Sequence, residues 1–251
     1  MIELKNIKKD YMIWNEVMTK VLFGIDLTIH DGDFFAIMGP SWSGKSTLMN
    51  ILWLLDTPTS GEYILDGVKL PEMTENEKAQ LRSRKIWFVF QAFNLIPRMK
   101  IIDQVMLPMF YQWVPKWDET ARAIAALEKV WLAHKVNSKP NQLSWWEQQR
   151  IAIARAIVTN PTLILADEPT GNLDTKTSIE IMNIFTQLNK EGITIVMVTH
   201  EPDIAQFARH NVHMRDGLVE RIHINTDKGI KEAWETKRQA ANIKEEKKSK
   251  Q

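Results

Sequence analysis

Cysteine is absent from the 251 residues, which excludes a disulfide framework and a cysteine nucleophile and suits a reducing compartment. Charge of one sign is lacking too. The 32 basic residues face 31 acidic ones, and a net charge of +1 provides no field to gather nucleic acid. No apolar run approaches the ~18 residues that a bilayer span needs. The opening MIELKNIKKDY lacks the apolar stretch of a secretory leader, so the chain is expected to be soluble by itself. Glycine is short as well: a share of about 7% would give roughly 18 in this length. There are 10, alongside 10 tryptophans.

What is there starts with GPSWSGKST, the stretch Gly39, Pro40, Ser41, Trp42, Ser43, Gly44, Lys45, Ser46 and Thr47. It fits the phosphate-loop pattern G-x-x-x-x-G-K-[ST], in which backbone N–H groups point at nucleotide phosphates and the lysine reaches the β and γ phosphates. Its flanks agree, because Phe34–Met38 reads as a buried strand and 46–55 as a helix whose positive end faces the anion. Alternation predicts strands over 2–7 and 21–29, with Tyr11 on the connection between them. An aromatic there could stack on a purine or cap the core.

Further along, Glu62–Asp66 reads as a strand, 74–84 as a polar helix and Ile86–Phe90 as an apolar strand ending at Gln91. An amide at that end suits a ligand edge, or a solvated strand end. From Ala92 to Pro140 the period becomes helical, over 101–110 and 118–134, which predicts a helical subdomain inserted at about 92–158. Ser144 with Glu147 three residues on makes a capping box that opens a helix over 145–159. Leu163–Ala166 is a buried strand running into Asp167 and Glu168, an adjacent pair that suits a Mg²⁺-holding aspartate and a water-orienting glutamate. The turn GNLD, Gly171 to Asp174, precedes a helix over 175–190. Ile193–Val198 ends at Thr199 and His200, and His200 shares its edge with Gln91, Asp167 and Glu168, so it is read as polarising a γ-phosphate. A closing hairpin is expected over 212–224. Beyond Thr226 the chain is charged with little apolar spacing, so 226–251 is read as a frayed helix or disordered tail, solvated or drawn to an anionic membrane surface.

GPSWSGKST, Gln91, LSWWEQQR (Leu143 to Arg150), LILADEP (Leu163 to Pro169), GNLD and His200 stand in the order and spacing of an ATP-binding cassette ATPase. The resemblance covers roughly residues 1 to 225 and is strongest to the macrolide-exporter and lipoprotein-releasing ATPases, through ADEPTGNLDT and FQAFNLIP. It implies an α/β fold, a P-loop NTPase (RecA-like) sheet core with the inserted helical subdomain and a small N-terminal antiparallel β part. It also implies roles. Tyr11 would stack on adenine, Gly39 to Thr47 would hold the phosphates of ATP, and Ser46, Gln91 and Asp167 would serve Mg²⁺. Glu168 would be the general base and His200 the γ-phosphate switch. Ser144, Trp145, Trp146 and Glu147 would complete the site of the opposite monomer, and Asp174 would cross the dimer interface. Two cassettes would sandwich two ATP molecules head to tail as a homodimer, and a transmembrane permease would dock near Gln91 to Pro97. The enzyme would sit peripherally on the cytoplasmic face of the membrane, with no nucleic-acid partner. The competing implication is a regulatory cassette of a cell-division-like membrane assembly.

The departures from the family are systematic. The family pattern has glycine where this chain has Trp42, Trp145 and Trp146, and usually also at Trp14, Trp53, Trp87, Trp113 and Trp131. An indole in the signature motif should clash or demand a positive φ that a bulky residue resists. As written, the chain is expected to bind ATP poorly and to close its dimer badly. The eight replacements match the glycine deficit. UGA differs from the glycine codon GGA by one base, and is stop, tryptophan or glycine depending on the genetic code. The expectation is therefore a gene that uses UGA for glycine, translated under a code that reads tryptophan. Genuine tryptophans would instead mean a degenerate, non-hydrolysing cassette, yet every charged catalytic residue remains.

Overall fold

The computed structural model of the chain describes residues 1–13 and 17–248. Two sheets organise it. The first is antiparallel: β1 (Ile2–Ile13) pairs with β2 (Val17–Ile29), and β4 (Ser60–Leu65) and β5 (Val68–Lys69) extend it in the order β2-β1-β4-β5. Both opening strands run further than the alternation predicts. Tyr11 is thus a strand residue opposite Thr19 rather than part of a connection. Trp14 lies outside the described residues.

The second sheet holds β3 (Phe34–Met38), β6 (Ile86–Val89), β7 (Leu163–Asp167), β8 (Thr194–Val198), β9 (His210–Arg215) and β10 (Leu218–Ile224), in the order β10-β9-β3-β8-β7-β6. β3, β6, β7, β8 and β9 are parallel, and β10 returns antiparallel on β9. Side chains of a strand alternate between faces. Phe34, Ala36, Ile164, Ala166, Ile195 and Met197 therefore join one apolar cluster, and Phe35, Ile37, Leu163, Leu165, Val196 and Val198 the other. Both faces are covered, as a parallel sheet requires.

One face packs against the first sheet and α1 (Lys45–Leu52). The other is covered by α3 (Ile101–Tyr111), α4 (Lys116–Lys129), α5 (Trp145–Ile157) and α6 (Thr175–Lys190). α2 (Glu75–Lys85) precedes β6 and opens at Thr74, whose N–H and hydroxyl both donate to Glu77 at 2.7 Å. A single turn, α7 (Pro202–Ala205), follows His200 and had no periodic signal in the sequence. The charged C-terminal stretch forms α8 (Asp227–Lys248), a helix rather than a disordered tail over the described residues. Its first half is docked, contrary to the reading of little apolar spacing: Ala233 is buried and Trp234 packs against the core. One position on that face is taken by the buried stem of Lys237.

Candidate functional site

β3 delivers the chain to Gly39 at the carboxyl edge of the parallel strands. A Cβ on Gly39 would lie 2.3 Å from the carbonyl oxygen of Met214 and 2.7 Å from Ser43 Oγ, so no other residue fits. Gly44 opens α1 at φ 93, and its Cβ would meet Leu22 at 2.7 Å. The turn between β9 and β10 buttresses the loop from behind, since Gly217 N–H donates to Ser43 O at 3.2 Å. Lys45 donates to the carbonyls of Gly39 and Pro40, both at 2.7 Å. Burial lowers its pKa, while the charges of Glu168 and Asp167 oppose that shift. Ser41 and Ser46 are exposed, and α1 has no acidic residue in its first turn, so its amide end keeps its positive character.

The register of the sheet brings the carboxylates beside this loop. Val198 stands opposite both Ile37 and Asp167, which puts the ends of β3, β8 and β7 in one row. Asp167 ends β7, and its pKa is raised by burial first and by the charge of Glu168 second, with Lys45 opposing. Glu168 then leaves the strand in the left-handed region at φ 44 while its N–H donates to Val198 O at 2.9 Å. That conformation is strained for a side chain of this size. It sets Glu168 Oε1 2.9 Å from His200 Nδ1, and this hydrogen bond and the glutamate charge raise the histidine pKa.

Gln91 follows β6, and its carbonyl accepts from Asn172 Nδ2 at 3.2 Å. A Cβ on Gly171 would come within 2.7 Å of Gln91 Nε2, so the GNLD turn lies directly against this amide. Ser46, Gln91 and Asp167 offer oxygen donors only, which is the set that Mg²⁺ takes. Asp167 fits that use, because a desolvated carboxylate beside another anion needs a cation to stay ionised. Tyr11 reaches the far end of the loop: its hydroxyl donates to Asp56 Oδ2 at 2.7 Å and also meets Thr47. Lys9 holds the same aspartate.

The remaining candidates sit on the other half of the chain. Ser144 donates to Glu147 Oε2 through its N–H at 2.8 Å and its hydroxyl at 2.7 Å, at the start of α5. Burial raises the Glu147 pKa, but those bonds and Lys135, 3.6 Å away, bring it below the ordinary value. Trp145 meets Phe93 edge-on at 5.8 Å, and Trp146 lies under Arg150 at 4.6 Å. Among the described residues, these hydrogen bonds, ion pairs and ring contacts do not reach the loop at 39–47. Asp174 caps α6 by accepting from Lys176 and Thr177 N–H at 2.9 and 3.1 Å.

Three of the tryptophans have a backbone that favours glycine, whereas Trp145 and Trp146 lie in α5 without a positive φ, contrary to the expectation for the signature motif. Trp42, Trp113 and Trp131 are left-handed, at φ 67, 55 and 60. Trp42 and Trp113 are 98% and 90% exposed, so no packing accounts for the indole. Trp87 has a buried Nε1 without a hydrogen-bond partner. Trp53 is stacked on Phe88 at 4.4 Å. Trp234, by contrast, is edge-on to Phe207 at 4.4 Å within the core. Sequence reasoning missed the Met214–Gly217 buttress, the left-handed Glu168 and the Lys9–Asp56–Tyr11 chain. Only the last left a trace, as a lysine two residues before the aromatic on one strand face.

A family model described as ABC transporter matches residues 22–171. The chain is 54% identical over 219 residues to an uncharacterized ABC transporter ATP-binding protein of Bacillus subtilis, YknY, covering 87% of this chain and 95% of that protein. It is 50% identical over 223 residues to the macrolide export ATP-binding/permease protein MacB of Syntrophobacter fumaroxidans. That match covers 88% of this chain but 31% of MacB, so the chain spans about a third of that relative. Among solved structures, the dimeric post-hydrolysis state of an ATP-binding cassette bound to ADP and Pi is similar at 42% identity and a TM-score of 0.82, covering 90% of this chain and 99% of that one.

Proposed function

The chain belongs to the ABC transporter family, and from that premise we propose that it is the ATP-hydrolysing subunit of a membrane export or extraction complex. The observation that carries this is the Glu168–His200 pair at 2.9 Å, in one row with Asp167 and beside Lys45. Phosphoryl transfer to water needs little covalent help from a protein and is driven by positioning and charge stabilisation. The loop amides and Lys45 hold the β and γ phosphates. Glu168 takes the proton of the attacking water, and His200, whose pKa that same glutamate raises, faces a γ-phosphate oxygen. Ser46, Gln91 and Asp167 would hold Mg²⁺, which when bound neutralises charge on the phosphate oxygens.

The site is completed in trans. Ser144 and the start of α5 from a second copy face the γ-phosphate, with Asp174 at the same interface. The dimeric state of the ADP-bound cassette supports this reading. Docking of a permease is supported by a groove between α2, β6 and α3, lined by Phe88, Phe90, Asn94, Leu107 and Tyr111 among others. Asn94 belongs to the stretch Gln91 to Pro97. No described helix is long and apolar enough to cross a membrane. In this reading the cassette works peripherally at the cytoplasmic face of the membrane and drives a transmembrane permease.

This reading includes glycine, in the native polypeptide, at the positions written Trp14, Trp42, Trp53, Trp87, Trp113, Trp131, Trp145 and Trp146. Its supports are the three left-handed indoles, the unpaired Nε1 of Trp87 and the glycine deficit. Intact-mass measurement of the native protein tests it, and a mass matching tryptophan at all eight positions overturns it. The catalytic reading is tested by Mg²⁺-dependent ATP hydrolysis in the Trp42→Gly, Trp145→Gly, Trp146→Gly protein. Activity that survives Glu168→Gln, or no activity at all, would sink it.

A further inference from the structure

His200 lies on a short bend, Thr199–Glu201, between β8 and α7. A one-turn helix has no stability of its own, so the position of this segment depends on what packs against it: the core inside, where Ile204, Ala205 and Phe207 are buried, and α8 outside. α8 does so at three points. Lys237 pairs with Asp203 in the first turn of α7. Trp234 packs edge-on against Phe207 at 4.4 Å. Asp227, at the start of α8, accepts from Arg209 Nη1 at 2.9 Å. The link before the helix adds to them: Asn225 Nδ2 donates to Ala208 O at 2.7 Å and to Gln206 O at 3.3 Å. The clasped stretch, 203–209, begins three residues after His200.

Lys237 is the unusual member. Its side chain is only 9% exposed, whereas Asp203 is 54% exposed. A lysine seldom lies buried unless it is paired. An apolar residue at this point of the α8 face would pack as well for stability alone, so the charge points to a positional role. On the inner side of the same segment, Glu201 N–H donates to Thr199 Oγ1 and Thr170 Oγ1 donates to Glu201 Oε1, both at 3.1 Å. The bend is therefore held from the site side by Thr170, which follows the catalytic carboxylate, and from the outside by α8.

We propose that α8 is a strut for His200, and that Lys237 is a positioning residue acting through Asp203 and α7. It sets how His200 meets Glu168 and the γ-phosphate without touching either. The proposal rests on the reading that His200 works in hydrolysis, and the test separates the two. Three full-length variants are compared with their parent, the Trp42→Gly, Trp145→Gly, Trp146→Gly chain: Lys237→Met, Asp203→Asn, and the exchanged pair Lys237→Glu with Asp203→Lys. Amide hydrogen exchange over 199–209 is read without nucleotide, and kcat and KM for ATP are read separately. Both single variants should speed exchange in that segment by about tenfold, with the rest of the chain unchanged. They should lower kcat severalfold at constant KM, and the exchanged pair should restore both readouts. Unchanged exchange in Lys237→Met overturns the strut. So does a loss of kcat that the exchanged pair does not rescue, or a fall of kcat and KM together with the melting temperature of the whole chain. A parent that hydrolyses no ATP refutes the catalytic reading instead, and the exchange comparison still decides the strut.

Discussion

Replacing a tryptophan by glycine should stabilise this protein at one turn and destabilise it one turn further on. Trp113 is left-handed at φ 55 and 90% exposed, just after α3. A non-glycine residue there costs about 1–2 kcal/mol. Glycine removes that strain, less about 0.5–1 kcal/mol for its greater freedom in the unfolded chain. No buried area is lost, so Trp113→Gly should gain about 0.5–1 kcal/mol, or roughly 2–4 °C of melting temperature for each kcal/mol in a chain of this size. Trp117 is 82% exposed as well, but it lies in the first turn of α4 and has no positive φ. Trp117→Gly should therefore lose about 0.3–0.5 kcal/mol. Trp234→Gly, which empties a core contact with Phe207, should lose about 3 kcal/mol or more. Urea unfolding of the three variants reads the signs directly. If Trp113→Gly destabilises as Trp117→Gly does, the left-handed argument is wrong, and with it the main physical support for glycine at these positions.

Glu168→Gln should abolish hydrolysis while leaving ATP binding intact, as equilibrium titration with a fluorescent nucleotide would show; loss of binding would mean that the residue is structural. His200 has a pKa raised by Glu168. The charged pair is therefore fully present below the ordinary histidine value and is lost as pH rises through the higher folded value. NMR titration of the imidazole should find that shift in the parent and not in Glu168→Gln. Gly39→Ala should cost both stability and nucleotide binding, because its Cβ would meet the Met214 carbonyl at 2.3 Å. Retained affinity in that variant would show that the loop has room the geometry denies it.

The core of the site was legible because its signals are local. β3, the loop and α1 follow one another within twenty residues, and the apolar runs ending at Asp167 and Thr199 announce the carboxyl edge by themselves. Parallel pairing then needs no sequence clue, since Val198 must lie between Ile37 and Asp167 once β8 is central. What could not be read depends on distant backbone. Met214 and Gly217 meet the loop only after β9 pairs with β3. The left-handed turn at Glu168 has no residue signature, as glutamate is a poor candidate for it. α8 was misjudged because one of the side chains on its buried face is a lysine, whose stem packs like a hydrocarbon while its ammonium reaches Asp203. The extra length of β1 and β2 was hidden by lysines and by the bulges that shift their register.

The central claim is a hydrolytic site built from two copies of the chain, and its most direct test is specific ATPase activity against protein concentration. With glycine at 42, 145 and 146, activity per chain should rise steeply with concentration, then level as dimers fill, and vanish with Glu168→Gln. Activity per chain that is constant across the range, and indifferent to Ser144→Arg at the start of α5, would contradict a site completed in trans.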